Sequence, residues 1–281
     1  MTTASIAQQD HVIRIEPGGG WSSSDLRELW RYRELLGFLV WRDVKVRYKQ
    51  TALGVVWALL QPLVPMVLFT VIFGRVAKLP SDGVPYPVFA LSGLLVWQLF
   101  ATALTSASAS VVGSAGLITK VYFPRLIIPL AAVCASLVDF TVSLALLGAL
   151  LTWYGIVPSV AIVALPALML LALAAALGVA LWSSALNVRY RDVQHVMPFV
   201  LQAWLLASPV AYSMTLITSP RWRAVYAMNP MAGVVQGFRS ALLGQPFSAA
   251  LLWPSVVATA LLLLGGLWYF RKTEDSFADV I

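Results

Sequence analysis

The chain has 281 residues, of which 60% are hydrophobic and 11% are charged, and its mean hydropathy is +0.83. Ordinary globular domains are about one quarter charged, so this composition excludes a soluble protein and predicts an integral membrane protein. The net charge of +7 lies mainly at segment ends, where the inside-positive bias of membrane proteins explains it better than nucleic-acid binding does. The single cysteine, Cys134, excludes an intrachain disulfide and a cysteine metal site.

The N-terminal region divides into two parts. Residues 1–23 lack a basic start followed by an apolar core, so we expect a flexible segment without a cleavable signal peptide. Residues 24–50 combine many charges with an apolar stripe of helical period, which predicts an amphipathic helix lying in the membrane interface, with Trp30 and Trp41 at headgroup depth. Such a helix is either a plain lipid-surface anchor or a docking platform for a cytoplasmic protein.

The rest of the chain predicts an all-α membrane domain over residues 51–271. A span needs about 20 apolar residues, and six segments qualify: residues 52–73, 86–112, 126–153, 161–186, 196–217 and 250–270. Between the last two, residues 218–249 are broken by Pro220, Pro230 and Pro246, which predicts two short helices at or dipping into the outer face. Residues 272–281 form a short tail.

The distribution of lysine and arginine predicts the orientation. With the N-terminus inside, 14 of the 19 basic residues fall on the cytoplasmic side and five fall outside. This ratio favours both termini in the cytoplasm.

Three sequence motifs carry information that composition alone does not give. They are RDVKVRYKQTALGVVWALLQPL at residues 42–63, LNVRYRDVQHVMPF at residues 186–199 and MNPMAGVVQGFRSALLG at residues 228–244. With these motifs the chain resembles the permease subunits of ABC-2-type exporters, in the branch that moves lipid-linked polysaccharide such as O-antigen, capsule and teichoic acid. The resemblance runs in order over residues 29–270.

The resemblance implies contacts with a separate ATP-binding subunit. Residues 113–125 match the place of the family's coupling helix, although an inert turn between spans is the alternative. The implied coupling residues are Leu117, Ile118, Lys120, Val121, Tyr122, Arg125, Arg189, Arg191 and Asp192. The residues that mark the interface helix are Trp30, Arg42, Asp43, Lys45, Arg47 and Tyr48.

The substrate path is predicted from aromatic and acidic residues within the spans. Asp139 is the one acidic residue deep in a span, so it should face protein or water. It belongs either on the path or at a dimer seam, or else forms a hydrogen bond to Ser136, Ser143 or another helix. The path candidates are Trp57, Phe69, Phe73, Asp139, Trp204 and Tyr212. In the outer loop, Asn229 and Pro230 break the two short helices, and Arg239 either binds phosphate or caps and anchors at the headgroups.

No P-loop and no hydrolase or metalloprotease motif occurs in the sequence, so we expect a transport subunit and not an enzyme, with no metal or cofactor of its own. The resemblance implies a homodimer in the bacterial inner membrane, two copies of a cytoplasmic ATPase that carries the ATP and Mg²⁺, and an undecaprenyl-linked glycan as substrate. The rivals are an ABC-2 exporter of a drug or simple lipid, a membrane-embedded glycosyl- or acyltransferase that uses Asp139, Asp192 and His195, and an ATP-independent flippase or scaffold.

Overall fold

The structure, a computed structural model, describes residues 23–49, 55–245 and 247–277, and these ranges contain helices and no strand. The predicted flexible segment therefore lies outside the described residues, except for Ser23. Two consecutive helices, α1 (Ser23–Arg31) and α2 (Arg33–Lys49), cover the predicted amphipathic helix. The backbone N–H of Tyr32 donates to the carbonyl oxygen of Glu28, and that of Leu36 to Tyr32, so helical bonding continues across their junction.

The middle of the chain supplies most of the long helices. They are α3 (Val55–Phe69), extended by a π-helical segment (Thr70–Val76), α4 (Tyr86–Gly113), the short α5 (Ala115–Ile118), α6 (Ile127–Trp153) and α7 (Leu165–Arg189). A helix of 27 residues is about 40 Å long, which exceeds the roughly 30 Å of the hydrocarbon core. Helices α4 and α6 therefore project beyond a bilayer or tilt within it.

Four helices follow α7. Three are short, namely α8 (Val193–Leu206), α9 (Pro220–Ala227) and α10 (Pro230–Leu243), and the last, α11 (Ala249–Glu274), is long. Five helical segments among the described residues are long and apolar enough to cross a membrane: Val56–Val76, Tyr86–Gly113, Ile127–Trp153, Val160–Arg189 and Ala249–Glu274. These segments identify the chain as an integral membrane protein.

The predicted fifth span is wrong beyond Leu206. Helix α8 has 14 residues and is followed by turns, because Pro209 cannot donate a backbone hydrogen bond to continue it. Side chains donate hydrogen bonds to backbone carbonyl groups that the end of the helix leaves without helical partners. The amide nitrogen of Asn229 donates to Ala207, and the guanidinium of Arg239 donates to Pro209.

The two short helices predicted between the last spans correspond to α9 and α10. The side chain of Asn229 caps α10 by accepting the backbone N–H of Met231. Almost all of α10 is buried against α4, α7 and α11. Two glycines allow this close packing: a Cβ on Gly233 would lie 2.6 Å from the carbonyl oxygen of Leu251, and one on Gly237 would lie 2.9 Å from Leu168.

Helix α4 forms the centre of the fold, since it packs against α3, α6, α7, α8 and α10. The hydroxyl groups of Ser108 and Ser183 are 2.6 Å apart and join α4 to α7. Helices α7 and α11 cross closely at two glycines. A Cβ on Gly178 would lie 2.7 Å from the backbone nitrogen of Leu263, and one on Gly266 would meet the carbonyl oxygen of Gly178.

A separate apolar cluster, the basal cluster, holds one end of the molecule together. It includes buried side chains from α2, α4, α5, α6, α7 and α11, and these are Leu39, Val111, Ile118, Ile127, Val188 and Phe270. The N-terminal helices, the connection between α4 and α6, the end of α7 and the end of α11 therefore lie on the same side of the protein.

Candidate functional site

Helix α2 packs lengthwise on α6 and does not lie across the helix ends. Leu39 is buried in the basal cluster with the first turn of α6, whereas Arg47 reaches Asp139, which lies three turns further along α6. Helix α2 therefore follows α6 in the same direction over about 12 Å. The position of this helix in the membrane interface stays a prediction, to which the structure adds that an ion pair and buried leucine packing fix this half of the helix against α6.

Asp139 is the centre of a polar junction between α2 and α6. One carboxylate oxygen accepts from the Arg47 guanidinium and the other accepts from the Tyr48 hydroxyl. Arg47 also donates to the hydroxyl of Ser106 on α4, at 3.4 Å. Burial, and after it the hydrogen bond to Asp139, raise the pKa of Tyr48 to about 12, so its hydroxyl stays a donor at neutral pH. Neither Ser136 nor Ser143 donates to this carboxylate; their hydroxyls donate to backbone carbonyls.

A cavity of about 530 Å³ opens beside this junction. Its lining comes from α2, α3, α4 and α6, and consists of Arg47, Tyr48, Trp57, Ala58, Gln61, Ala101, Thr102, Thr105, Ser106 and Asp139. Its volume falls within the 300–1,000 Å³ that is usual for ligand sites. Of the six predicted path residues, the structure brings Trp57 and Asp139 together here.

The other four predicted path residues pack elsewhere. Phe69 and Phe73 form an edge-to-face pair with ring centroids 5.3 Å apart, near the start of α4. The indole of Trp204 packs on Phe100 and donates to Asn229 at 2.9 Å. The hydroxyl of Tyr212 donates to Tyr226 at 3.0 Å. Trp204 and Tyr212 therefore stabilise the connections around α8 and α10, whereas Phe69 and Phe73 pack at the start of α4.

Arg239 is fully enclosed in the structure. Its guanidinium donates to the carbonyl oxygens of Pro209, Val210 and Phe89, and it stacks 3.7 Å from the centre of the Phe89 ring. With no exposed surface, it reaches neither a phosphate nor the lipid headgroups. The expectation that Arg239 binds phosphate or anchors at the headgroups is therefore corrected. It ties α10 to α4 and to the turns after α8.

The predicted coupling residues divide into a buried base and an exposed tip. Ile118 belongs to the basal cluster, whereas Val121 and Tyr122 are 53% and 69% exposed. Lys120 is exposed beside them. This segment therefore presents apolar and basic side chains together at the surface.

A second exposed segment begins at Arg189, the last residue of α7. It directly follows Val188, which belongs to the basal cluster. Arg189, Arg191 and Asp192 are all exposed there, and Tyr190 is 56% exposed. The predicted coupling segments therefore share one side of the molecule. In the interface helix, Arg42 pairs with Asp43 at 2.8 Å and the Lys45 ammonium lies over the Trp41 ring.

Comparison with known proteins identifies the family. Residues 34–243 match the model of the ABC-2 type transporter family. The chain belongs to the ABC-2 type transporter family. It is 30% identical over 262 residues to the O-antigen export system permease protein RfbA of Myxococcus xanthus, a match that covers 91% of this chain and 98% of that protein.

Two further relatives of this transporter agree. The O-antigen export system permease protein RfbA of Klebsiella pneumoniae is 27% identical over 253 residues, covering 88% of this chain and 95% of that protein. The polysialic acid transport protein KpsM of Escherichia coli is 23% identical over 243 residues, covering 84% and 92%. These matches extend over most of both chains, so they concern the whole transmembrane domain and not a single motif.

The polar residues on α4 were missed by the sequence reasoning. Gln98, Thr102, Thr105, Ser106 and Ser110 recur with helical spacing on a helix whose other residues are mostly apolar. This period was available in the sequence as a signal of a polar stripe within a span.

Proposed function

We propose that this chain is the permease subunit of an ATP-driven exporter that carries a lipid-linked polysaccharide, such as undecaprenyl-linked O-antigen, across the bacterial inner membrane. The observation that carries the proposal is the full-length similarity to the O-antigen export permease of Myxococcus xanthus. An exporter of a drug or simple lipid is less well supported, because three relatives named above handle polysaccharides.

The partner in this proposal is a cytoplasmic ATPase, bound in two copies by two permease chains. The exposed tip of Val121 and Tyr122 and the segment around Arg191 supply docking contacts on one side of each chain. Their attachment to the basal cluster supports a role in coupling, since motion of the tip is passed directly to α4, α6 and α7. ATP and Mg²⁺ belong to the partner. Both termini lie on its side, the cytoplasm.

A homodimer is supported by the surface of α8. Phe199 and Leu206 are exposed, and the polar side chain of Gln202 is exposed between them. An amide in contact with lipid tails is unfavourable, so a second copy or an aqueous path should cover this face. With α8 as a short fifth crossing, completed by the turns that Arg239 and Asn229 hold, the chain crosses the membrane six times.

A transferase is disfavoured by the positions of its candidate residues. Asp139 is held by Arg47 and Tyr48 within the cavity, whereas Asp192 and His195 are exposed beyond the end of α7. The three side chains share no cavity, so they form no common centre for acid–base chemistry.

The test is deletion and complementation in the producing cell. We expect a deletion strain to lose surface polysaccharide and to accumulate lipid-linked glycan inside, and the intact chain to restore export and to co-purify with an ATPase subunit. Normal surface polysaccharide in the deletion strain would refute the substrate assignment.

The docking surface is tested by Val121→Asp, which places a charge on the exposed tip. Truncating or charging the centre of an interface costs about 1–3 kcal/mol of binding, a loss of about tenfold to a hundredfold in affinity. The ATPase should no longer co-purify, although the permease stays folded. The matched control is Val157→Asp, which is 85% exposed in the connection between α6 and α7, and it should retain the ATPase. Equal retention by both variants would contradict the docking role of the tip.

A further inference from the structure

The cavity beside Asp139 is part of a longer groove along α4. A second cavity of about 500 Å³ shares Arg47 and Ser106 with it and continues to Gly113 and Ser114 at the basal end of α4. In the other direction, a small extension shares Thr102 and Asp139 and continues past Gln98 to Leu95. From residue 113 to residue 98 this groove is about 22 Å long. We call it the α4 groove.

The floor of the α4 groove, formed by α4, carries a row of polar side chains among apolar ones, which include Leu95, Leu99, Ala101 and Ala109. Gln98, Thr102, Thr105, Ser106 and Ser110 share the face of α4 that lines it. Among the described residues, nothing donates to or accepts from the side-chain hydroxyls of Thr102 and Thr105 or the side-chain amide of Gln61. All three side chains line the wide part of the groove.

The walls of the α4 groove distinguish a sugar from an anion. Arg47 is paired with Asp139, and Arg42 is paired with Asp43, so neither arginine adds net positive charge to the site. A phosphate would have to compete with a carboxylate for each guanidinium. An uncharged ring with several hydroxyl groups has no such competitor, and it matches the amide and hydroxyl groups of the floor.

Trp57 supplies the apolar part of such a site. Its indole is 54% exposed and lines the wide part of the groove opposite α4. An aromatic face next to hydroxyl and amide groups is suited to a sugar ring, which has an apolar face of C–H groups and a polar rim. An acyl chain would match only the apolar part of this lining and would leave the hydroxyl and amide groups without partners, whereas a sugar ring matches both parts.

We propose that the α4 groove binds a sugar ring of a membrane-anchored glycan, with Trp57 against the ring face and Gln61, Thr102 and Thr105 at its hydroxyl groups. The groove leads from the basal end of α4 to the middle of the helix and would hold the lipid-proximal sugar at the cytoplasmic side of the membrane. This inference rests on the proposed export of lipid-linked polysaccharide.

The test uses the single native cysteine to advantage. Replacing Cys134 with alanine gives a cysteine-free chain, into which Ala101→Cys places a reporter thiol that lines the wide part of the groove without replacing a proposed sugar contact. The matched control is Thr141→Cys, because Thr141 is exposed on the opposite face of α6 and lines none of the groove cavities. A water-soluble methanethiosulfonate is applied to inside-out membrane vesicles from the producing cell. We expect the groove thiol to react and the control thiol to react far more slowly.

Protection is then measured with a polyprenyl diphosphate-linked disaccharide. At about ten times its dissociation constant the probe leaves about one tenth of the sites free, so labelling of the groove thiol should slow about tenfold. Sugar-free polyprenyl diphosphate and phosphatidylglycerol should give no protection. Adding Trp57→Leu should raise the probe concentration needed by about tenfold, the equivalent of about 1.4 kcal/mol. Trp253→Leu, at an exposed tryptophan on α11, should leave it unchanged.

Protection by phosphatidylglycerol or by the sugar-free diphosphate would overturn the proposal in favour of a general lipid-headgroup groove. Absence of protection by every probe would overturn it as well. The proposed function is judged separately by polysaccharide export in the deletion strain that carries the cysteine-free chain without a reporter. Export with no protection refutes the sugar site alone, whereas wild-type levels of surface polysaccharide in the strain without the chain refute the proposed function.

Discussion

Two arginines that lie between packed helices show how differently this fold uses the same side chain. Arg239 is fully enclosed, and its ligands are three backbone carbonyl groups from α4 and the turns after α8. Arg47 is about one third exposed, pairs with a carboxylate and borders an open groove. Arg239 has a structural role, since no solute reaches it. Arg47 forms an ion pair at the edge of a groove that a ligand can enter.

The solvent exposure of a polar side chain, and not its charge alone, separates structural from functional polar residues in this membrane protein. A guanidinium surrounded by carbonyl groups satisfies the ends of broken helices, which cannot remain unpaired at membrane depth. An ion pair at a groove lowers the cost of each charge and still leaves hydrogen-bonding groups available nearby. Variants of the two arginines should therefore fail in different ways.

Arg239→Met should have the largest effect on stability. It leaves the buried carbonyl groups of Pro209 and Val210 without their donor, whereas that of Phe89 still accepts from the Ser92 hydroxyl, and at about 1–3 kcal/mol for each lost donor we expect a loss of more than about 2 kcal/mol. The measurement is the yield of monodisperse protein after detergent extraction, together with its thermal midpoint. Arg223→Met, at an exposed arginine on α9, should behave like the parent chain. If Arg239→Met were as stable as that control, Arg239 would have no structural role.

Arg47→Met should lower polysaccharide export about tenfold or more while the folded protein persists. The variant leaves Asp139 with Tyr48 as a neutral donor and disturbs the groove wall. Because about one third of the Arg47 side chain is exposed, the cost in stability should stay near about 1 kcal/mol. Surface polysaccharide and thermal midpoint are measured on the same cells, with Arg33→Met at an exposed position of α2 as the control. A collapse of stability without a specific effect on export would show that both arginines have structural roles.

A double-mutant cycle of Arg47→Met and Asp139→Asn measures how strongly this ion pair joins α2 to α6. The two side chains are in direct contact, so their effects should not add, and we expect a coupling energy of about 1 kcal/mol. The thermal midpoints of the four proteins give this value. Simple additivity would mean that α2 is not fixed to α6 by this pair.

Tyr48→Phe should give the smallest effect. It removes one hydroxyl that donates to Asp139 and leaves the Arg47 contact, so the loss should be about 0.5–1.5 kcal/mol. Because the pKa of Tyr48 is raised to about 12, the hydroxyl remains protonated over the working range, and the loss should be equal at about pH 7 and about pH 9. A loss that disappears at the higher pH would show that the hydroxyl ionises there.

The sequence allowed the long apolar helices to be placed closely, because hydropathy over about 20 residues is a local property. Predicted residues 86–112 and 126–153 correspond to α4 (Tyr86–Gly113) and α6 (Ile127–Trp153). The end of α8 was placed wrongly. The residues after Leu206 are apolar, and what ends the helix is Pro209 together with side chains of Asn229 and Arg239, which come 20 to 30 residues later in the chain.

The site was predicted only in part for the same reason. Asp139 and Trp57 were selected as unusual residues within spans, and both line the cavity. The partners of Asp139 lie 91 and 92 residues away, on a helix that periodicity alone predicts to lie in the membrane interface. Sequence period cannot show that α2 follows α6, since that arrangement depends on a long-range ion pair and on the basal cluster.

The most direct test of the central claim is ATP-dependent movement of glycan into inside-out inner-membrane vesicles that contain the chain and its ATPase partner. A radiolabelled lipid-linked polysaccharide is supplied on the outer surface of the vesicles, and a glycosidase added later digests whatever remains accessible. We expect the label to become resistant to the glycosidase only with hydrolysable ATP and only when the chain is present. Equal resistance without ATP, or in vesicles that lack the chain, would contradict it.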